Sequence, residues 1–196
     1  APPPAAAEPK AAAPSPPATP QPAATPSTAK KKEANEIFDL QTFLTRLEAY
    51  LNQLRKADLP AAAIMVEAIG LKEMPQAQAV EGWNEVVELV QETLRGIDIV
   101  CLYRPFTLCI FMPGCSLDVG IDRSAKIQQL MLRRKSQWPD SAGCPERFAI
   151  SVAGVGKAEI NAEFLNRLEC PLGEALDASA TEIVIHNGES CHFQEV

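Results

Sequence analysis

The sequence predicts an α/β fold of the α+β type, in which helices flank a mixed sheet of about five strands. Two observations predict it. Stretches with apolar residues at every third or fourth position alternate with short runs rich in Ile, Val and Ala. Their order is helix, strand, helix, hairpin, helix, strand, helix, hairpin, which is typical of a single sheet covered by helices.

The first 32 residues predict a disordered Pro/Ala-rich linker. Ten of the 17 prolines and 11 alanines precede Lys30, without any aromatic residue among them. Such a segment buries too little apolar surface to offset its ordering entropy. We therefore expect a domain over residues 33–196, with an N-terminal helix at 33–58 and a sheet core at 59–196. The linker also suggests that a protein partner or an upstream domain of the same chain lies beyond it.

The charge distribution disfavours nucleic-acid and membrane surfaces as partners. The linker carries four lysines and one glutamate, a net charge of +3. Because the whole chain has a net charge of −7, the remaining residues have a net charge of −10. Binding to phosphates needs clustered Lys and Arg, whereas this domain is acidic overall. No apolar run has the length of a membrane span, so we expect a cytoplasmic protein.

The predicted N-terminal helix covers roughly residues 36–56 and ends before Leu59-Pro60. Its apolar residues recur with alternating steps of three and four, as in a heptad seam. They are Ile37, Leu40, Leu44, Leu47, Leu51 and Leu54. Two readings stay open: the helix packs on its own domain, or it dimerises two chains.

The middle of the chain predicts a central strand, a helix, a hairpin and a second helix. Residues 61–69 are almost entirely apolar, as in a strand covered on both faces. The next helix ends near Arg95, the hairpin strands lie at 98–103 and 107–112, and a further helix spans 118–135. The inner faces of the two helices are predicted from Trp83, Val86, Val87, Val90 and Leu94, and from Val119, Ile127, Leu130 and Met131.

The C-terminal part predicts a strand from Phe148, a helix at 161–169 and a last hairpin. We expect the helix to stop before Pro171, because proline disfavours helical angles in the preceding residue. The hairpin is indicated by Thr181 to His186, an Asn-Gly turn, and Ser190 to Phe193.

The six cysteines predict reduced, mostly buried thiols and no metal site. They include no CxxC motif, and a disulfide between Cys101 and Cys109 on facing strands is the less favoured reading. His186, Cys191 and His192 flank the last hairpin, but three ligands there would need unusual strand geometry. We expect neither a metal nor another cofactor.

Residues 95–113 carry a family resemblance. Arg95-x-x-Asp98, five residues, a tight turn, an apolar run and Pro113 follow one another in that order. This pattern resembles the central hairpin of GGDEF domains, the diguanylate cyclases, in which RxxD precedes a Gly-Gly-Asp/Glu-Glu-Phe turn. The resemblance covers roughly residues 36–196 and implies the palm-like nucleotidyl-cyclase fold in a bacterial signalling protein.

The active turn of the family is not conserved, so the resemblance is to a degenerate member. Its five positions hold Arg104, Pro105, Phe106, Thr107 and Leu108. The family binds Mg²⁺ with one carboxylate from the first strand, here Glu67, and another from the turn, here Thr107. Proline also removes the N–H that would let a phosphate approach the backbone. We therefore expect no catalytic residue and no enzymatic activity.

The Arg95–Asp98 pair leaves two readings open. In many family members RxxD binds the product, cyclic di-GMP, and a guanidinium can donate to guanine O6 and N7 while the aspartate accepts from N1–H. For ligand binding, we expect Arg95 and Asp98 to lie together at one exposed corner. The alternative is a charge at a helix end in a surface ion pair. A second arginine at that corner would favour the ligand, and Arg55 and Arg133 are candidates.

Three functions follow from the resemblance. The leading one is a catalytically inactive GGDEF-like signalling or scaffolding module for protein–protein interaction. The alternative is a cyclic di-GMP receptor using Arg95 and Asp98, and an active diguanylate cyclase is the least favoured.

Overall fold

The computed structural model describes residues 35–139, 142–156 and 159–194, and the predicted linker at 1–32 lies outside them. A seven-stranded mixed sheet in the order β1-β3-β4-β2-β5-β6-β7 organises this part of the chain. The strands are β1 (Ile37–Phe38), β2 (Ala61–Ile69), β3 (Ile99–Arg104), β4 (Thr107–Pro113), β5 (Arg147–Gly154), β6 (Glu182–His186) and β7 (Cys191–Phe193). The helices are α1 (Leu40–Ala57), α2 (Gln76–Thr93), α3 (Leu117–Lys135) and α4 (Asn161–Asp177), and a 3₁₀ turn spans Leu71–Glu73.

Strand β2 is central, as its apolar run predicts. It pairs antiparallel with both β4 and β5. Its alternate residues divide between two cores: Ile64 and Val66 lie in one with α2 and α3, and Ala63 and Met65 lie in the other with α1 and α4. Alternate side chains of β2 therefore pack on opposite faces of one sheet. The predicted α+β fold is confirmed, with seven strands instead of about five.

Helix α1 begins later than predicted and packs on its own domain. Asp39 caps it, since its carboxylate accepts from Thr42 N at 2.9 Å, and Ile37 instead pairs with Val100 as part of β1. The residues buried on the α1 face of the sheet are Phe43, Leu47, Leu51 and Leu54, and Leu40 and Leu44 are partly buried against the same core. The α1 side chains proposed to pair two chains therefore pack within the domain. This favours the reading in which the helix packs on its own domain over the reading in which it dimerises two chains.

Helix α4 contradicts the predicted stop before Pro171 and continues to Asp177. The apolar face continues through the proline, where Leu168, Leu172 and Ala175 are fully buried. Burying a leucine stabilises a fold by about 1.5–3 kcal/mol. Burial of Leu172 and Ala175, which follow the proline, offsets most of the roughly 3 kcal/mol that an interior proline costs a helix.

Two other predictions need correction. Val119 was predicted on the inner face of α3, but 42% of its surface is exposed, and Gly120, Ser124, Ile127 and Met131 form the buried stripe. Cysteines are less uniformly buried than predicted: Cys101, Cys109 and Cys115 are buried, Cys170 is exposed, and all six are free thiols.

Candidate functional site

The turn between β3 and β4 holds residues at the positions that the resemblance assigns to the family signature. Pro105 and Phe106 form the two-residue loop between Arg104 and Thr107, which pair across the strands. Phe106 has φ of 61°, the left-handed region that a residue with a Cβ adopts only at some cost. Its carbonyl accepts from Ala68 N at 3.0 Å, which ties the turn to the end of β2.

Phe106 also turns its ring onto helix α2. The ring lies 5.8 Å from that of Trp83, centroid to centroid, at an interplanar angle of 77°. Edge-to-face pairs of this kind contribute about 0.5–1.5 kcal/mol beyond the area they bury. The aromatic contact compensates the backbone cost at Phe106 and covers one side of the turn.

Glu67, the candidate metal carboxylate, lies beside the turn in ion pairs with two cations. Arg104 Nη2 donates to Glu67 Oε2 at 2.9 Å, and Lys72 Nζ donates to Glu67 Oε1 at 3.3 Å. Glu67 is 6% exposed, so its charge is removed from water and depends on these partners. The strand register explains the placement, because Glu67 stands opposite Thr107, the partner of Arg104.

The residues present at the turn do not fit a magnesium ion. Mg²⁺ requires oxygen ligands in near-octahedral geometry and is commonly held by carboxylates. Here both oxygens of Glu67 are bound to cations, and Thr107, which is fully buried, contributes no charge. A divalent cation would have to displace Arg104 and Lys72 and then remain near their charges.

The Arg95–Asp98 pair forms a different kind of site from the exposed corner that the sequence predicts. The Asp98 side chain is fully buried, whereas 37% of the Arg95 side chain is exposed. Asp98 Oδ2 accepts from Arg95 N at 2.7 Å, and Asp98 Oδ1 accepts from Arg95 Nε at 3.0 Å and Nη2 at 2.8 Å. The aspartate thus closes the loop that follows α2, and its hydrogen bond raises the pKa of the Arg95 guanidinium above its usual value.

A second arginine does lie at this corner, but it is neither Arg55 nor Arg133. Arg123, from α3, donates to Asp98 Oδ2 with its side chain only 14% exposed. Arg95 Nη2 also donates to the carbonyl of Pro113 at 2.9 Å. Asn35 Nδ2 joins the corner by donating to Arg95 O at 2.7 Å and to Asp98 O at 3.0 Å. Sequence spacing could not find Arg123, because it lies 25 residues from Asp98 on another element.

The three candidate ligands of the last hairpin, His186, Cys191 and His192, have different neighbours in the structure. His186 and Cys191 stand opposite each other in the β6–β7 register, while His192 pairs with Ile185. The ring of His186 accepts from Gly188 N at 3.0 Å through Nδ1. Cys191 lies instead against Cys170, from α4, with 3.3 Å between the sulfurs.

Among the described residues, no helix is long and apolar enough to span a membrane.

Comparison with known proteins finds structural similarity only. No protein-family model matches the chain, and no curated protein matches its sequence. Solved structures match throughout the domain. The active GGEEF domain of a Vibrio cholerae diguanylate cyclase has a TM-score of 0.70 at 10% identity, covering 79% of this chain and 100% of that one.

Two further structures are similar at comparable level. The GGDEF domain of DgcB from Caulobacter crescentus, in complex with cyclic di-GMP, has a TM-score of 0.67 at 9% identity, with 80% of this chain and 91% of that chain covered. Diguanylate cyclase SiaD from Pseudomonas aeruginosa, in complex with its activator SiaC, has a TM-score of 0.69 at 12% identity over 76% of this chain and 59% of that one. The chain therefore has the palm-like fold of the GGDEF domains.

Proposed function

We propose that this protein is a catalytically inactive GGDEF-like module that acts in signalling by binding another protein. One observation carries the proposal: the carboxylate expected to bind magnesium, Glu67, forms ion pairs with Arg104 and Lys72. Arg104 itself occupies the first position of the degenerate turn. The substitution that removes a glycine thus also supplies a cation that neutralises the remaining acid.

The surrounding residues support the same proposal. Transfer of a nucleotidyl group needs its developing charge stabilised, and each lost electrostatic donor costs several kcal/mol in comparable enzymes, roughly 3–4. Pro105 offers no N–H to a phosphate, and Phe106 packs its ring on Trp83 beside the turn. SiaD is in complex with a protein activator, which supports a protein as the partner class for this fold.

The proposal is tested by a cyclase assay on the full chain. Incubation with GTP and Mg²⁺ or Mn²⁺, followed by chromatographic separation of nucleotides, should give no cyclic di-GMP above a heat-killed control. Glu67→Ala and Glu73→Ala provide the matched pair, because Glu73 lies on the same segment but is exposed. Product that disappears with Glu67→Ala and persists with Glu73→Ala would overturn the proposal.

A cyclic di-GMP receptor is the second candidate, and Arg123 is the observation that favours it. Two guanidiniums, Arg95 and Arg123, meet at the corner, and 37% of the Arg95 side chain is exposed. The DgcB domain is in complex with cyclic di-GMP. Against this candidate, Asp98 is buried and already accepts four hydrogen bonds from the two arginines.

Calorimetric titration separates the two candidates. A receptor of useful affinity binds cyclic di-GMP at micromolar concentration, about −8 kcal/mol. Because a bidentate base contact supplies about 1–3 kcal/mol, Arg95→Ala should then weaken binding about tenfold or more. Arg133→Ala, an exposed arginine of α3, is the matched control. If the wild type gives no heat with cyclic di-GMP at tens of micromolar, roughly ten times that dissociation constant, the receptor is excluded. The protein-binding module is then the remaining candidate.

A further inference from the structure

Three metal-ligating side chains meet where helix α4 packs against the last strand. Cys170 and Glu174 lie one turn apart on α4, and Cys191 belongs to β7. Their ligand atoms all lie within 4.8 Å of one another. The spacing of four residues places the first two on the same face of the helix, and the packing of β7 brings in the third.

The distances suit a tetrahedral cation. With zinc–sulfur bonds of about 2.3 Å, two thiolates around one ion lie about 3.8 Å apart. The sulfurs of Cys170 and Cys191 are 3.3 Å apart, so a small rotation of either side chain reaches that separation. Cys170 and Glu174 are exposed, which gives an ion a path to the cluster and leaves room for water as the fourth ligand.

Three groups that can each carry a negative charge lie together in the cluster. A bound dication stabilises two thiolates and a carboxylate together, and its binding releases the protons of the thiols.

We propose that Cys170, Glu174 and Cys191 form a binding site for a thiophilic divalent cation of the zinc class. Two soft thiolates with one carboxylate favour Zn²⁺ over Mg²⁺ or Ca²⁺, which prefer oxygen ligands alone. The site lies on α4 and β7, away from the β3–β4 turn. Its occupancy cross-links the helix to the edge strand of the sheet and does not depend on the proposed signalling function.

Cobalt is the probe that tests the site, because Co²⁺ bound by thiolates has a charge-transfer band in the near ultraviolet. The full chain is kept reduced with a phosphine, stripped of metal with a chelator and titrated with Co²⁺. The band should saturate at one equivalent, disappear on addition of Zn²⁺ and be accompanied by release of protons from the two thiols.

Single substitutions assign the band to its residues. Cys170→Ser and Cys191→Ser should abolish it, and Glu174→Gln should weaken cobalt binding by more than the roughly tenfold that losing even an outer-shell partner costs. Cys144→Ser removes a half-buried thiol elsewhere and should leave the titration unchanged.

Three results would overturn the proposal. The first is the absence of the band at one equivalent of Co²⁺ in the reduced protein. The second is a band that survives the Cys170→Ser/Cys191→Ser double substitution. In the third, the reduced protein binds no Co²⁺, but thiol counting after removal of the phosphine shows a Cys170–Cys191 disulfide, which would make the pair a redox couple instead.

Discussion

Two buried carboxylates, Glu67 and Asp98, are each bound by two cationic side chains. Lys72 and Arg104 bind Glu67, and Arg95 and Arg123 bind Asp98. A buried charge is tolerated when partners replace the water it has lost, and removing one partner usually costs more than the pair contributes. Both positions that resemble nucleotide-binding residues therefore also hold the hairpin in place.

We expect Asp98→Ala to lower the free energy of unfolding by about 3 kcal/mol. The substitution leaves Arg95 and Arg123 without their common acceptor and removes the acceptor of the Arg95 backbone N–H in the loop after α2. Denaturant titration of the wild type, Asp98→Ala and Asp122→Ala measures the effect, since Asp122 is exposed on α3. Equal stability of the two variants would contradict a structural role for Asp98.

The backbone at Phe106 allows a second prediction. Phe106→Ala removes the contact with Trp83 and keeps a Cβ at φ of 61°, whereas Phe106→Gly removes both the contact and the strain. We therefore expect the glycine variant to be more stable than the alanine variant by about 1 kcal/mol. Thermal or denaturant unfolding of both variants measures the difference, and a less stable glycine variant would contradict the strained turn.

At the scale of elements, the sequence predicts segments whose periodicity is strong and local. Strand β2 and helices α2 and α3 have such patterns, and the structure confirms them within a few residues. Strand β1 has no such signal, because its two residues are defined only by pairing with β3, some sixty residues further on. The sequence predicts too early an end for α4, because the local cost of Pro171 is visible in the sequence whereas the burial that offsets it is not.

The same limit applies to the candidate site. The position of the hairpin could be anticipated from Arg95, Asp98 and Pro113, and the residue types at its turn can be read directly from the sequence. The ion pair between Arg104 and Glu67 was not, because it joins residues 37 positions apart through the β2–β4 register. Side chains that meet across a sheet leave no periodic trace in the sequence.

Packing of α1 on its own sheet gives the prediction for this element. Leu47 is fully buried, so Leu47→Ala should destabilise the protein by about 2–5 kcal/mol. Leu132→Ala, on the exposed face of α3, should change stability by no more than about 0.5 kcal/mol. Sedimentation of both variants should match that of the wild type. A loss of mass in solution for Leu47→Ala alone would instead support the dimer reading of the helix.

At the scale of the whole molecule, the sheet separates two groups of helices that stabilise it independently. Helices α2 and α3 bury one core and α1 and α4 bury the other, and β2 contributes to both. Each core is completed by residues of the described domain.

Deletion of residues 1–32 should leave the thermal midpoint unchanged within about 1–2 °C, because the sequence of this segment is rich in Pro and Ala and has no apolar periodicity. Differential scanning calorimetry of the full chain and the truncated chain tests this. Truncation to residue 39 is the informative comparison, since it also removes Asn35 and strand β1 and should lower the midpoint by several degrees, about 4 or more. A large decrease with the shorter deletion would show that the linker contributes to the fold.

Asn35 and β1 also decide how mechanical load enters the domain. The described residues begin at Asn35, whose side-chain amide donates hydrogen bonds to the carbonyls of Arg95 and Asp98. The two residues of β1 then pair with β3. Tension applied at Asn35 is therefore transmitted through these bonds at the edge of the sheet before it reaches the long pairing of β2 with β4 and β5. The Arg95–Asp98 corner holds this first described segment, so stiffening the corner should raise the force at which β1 detaches from β3.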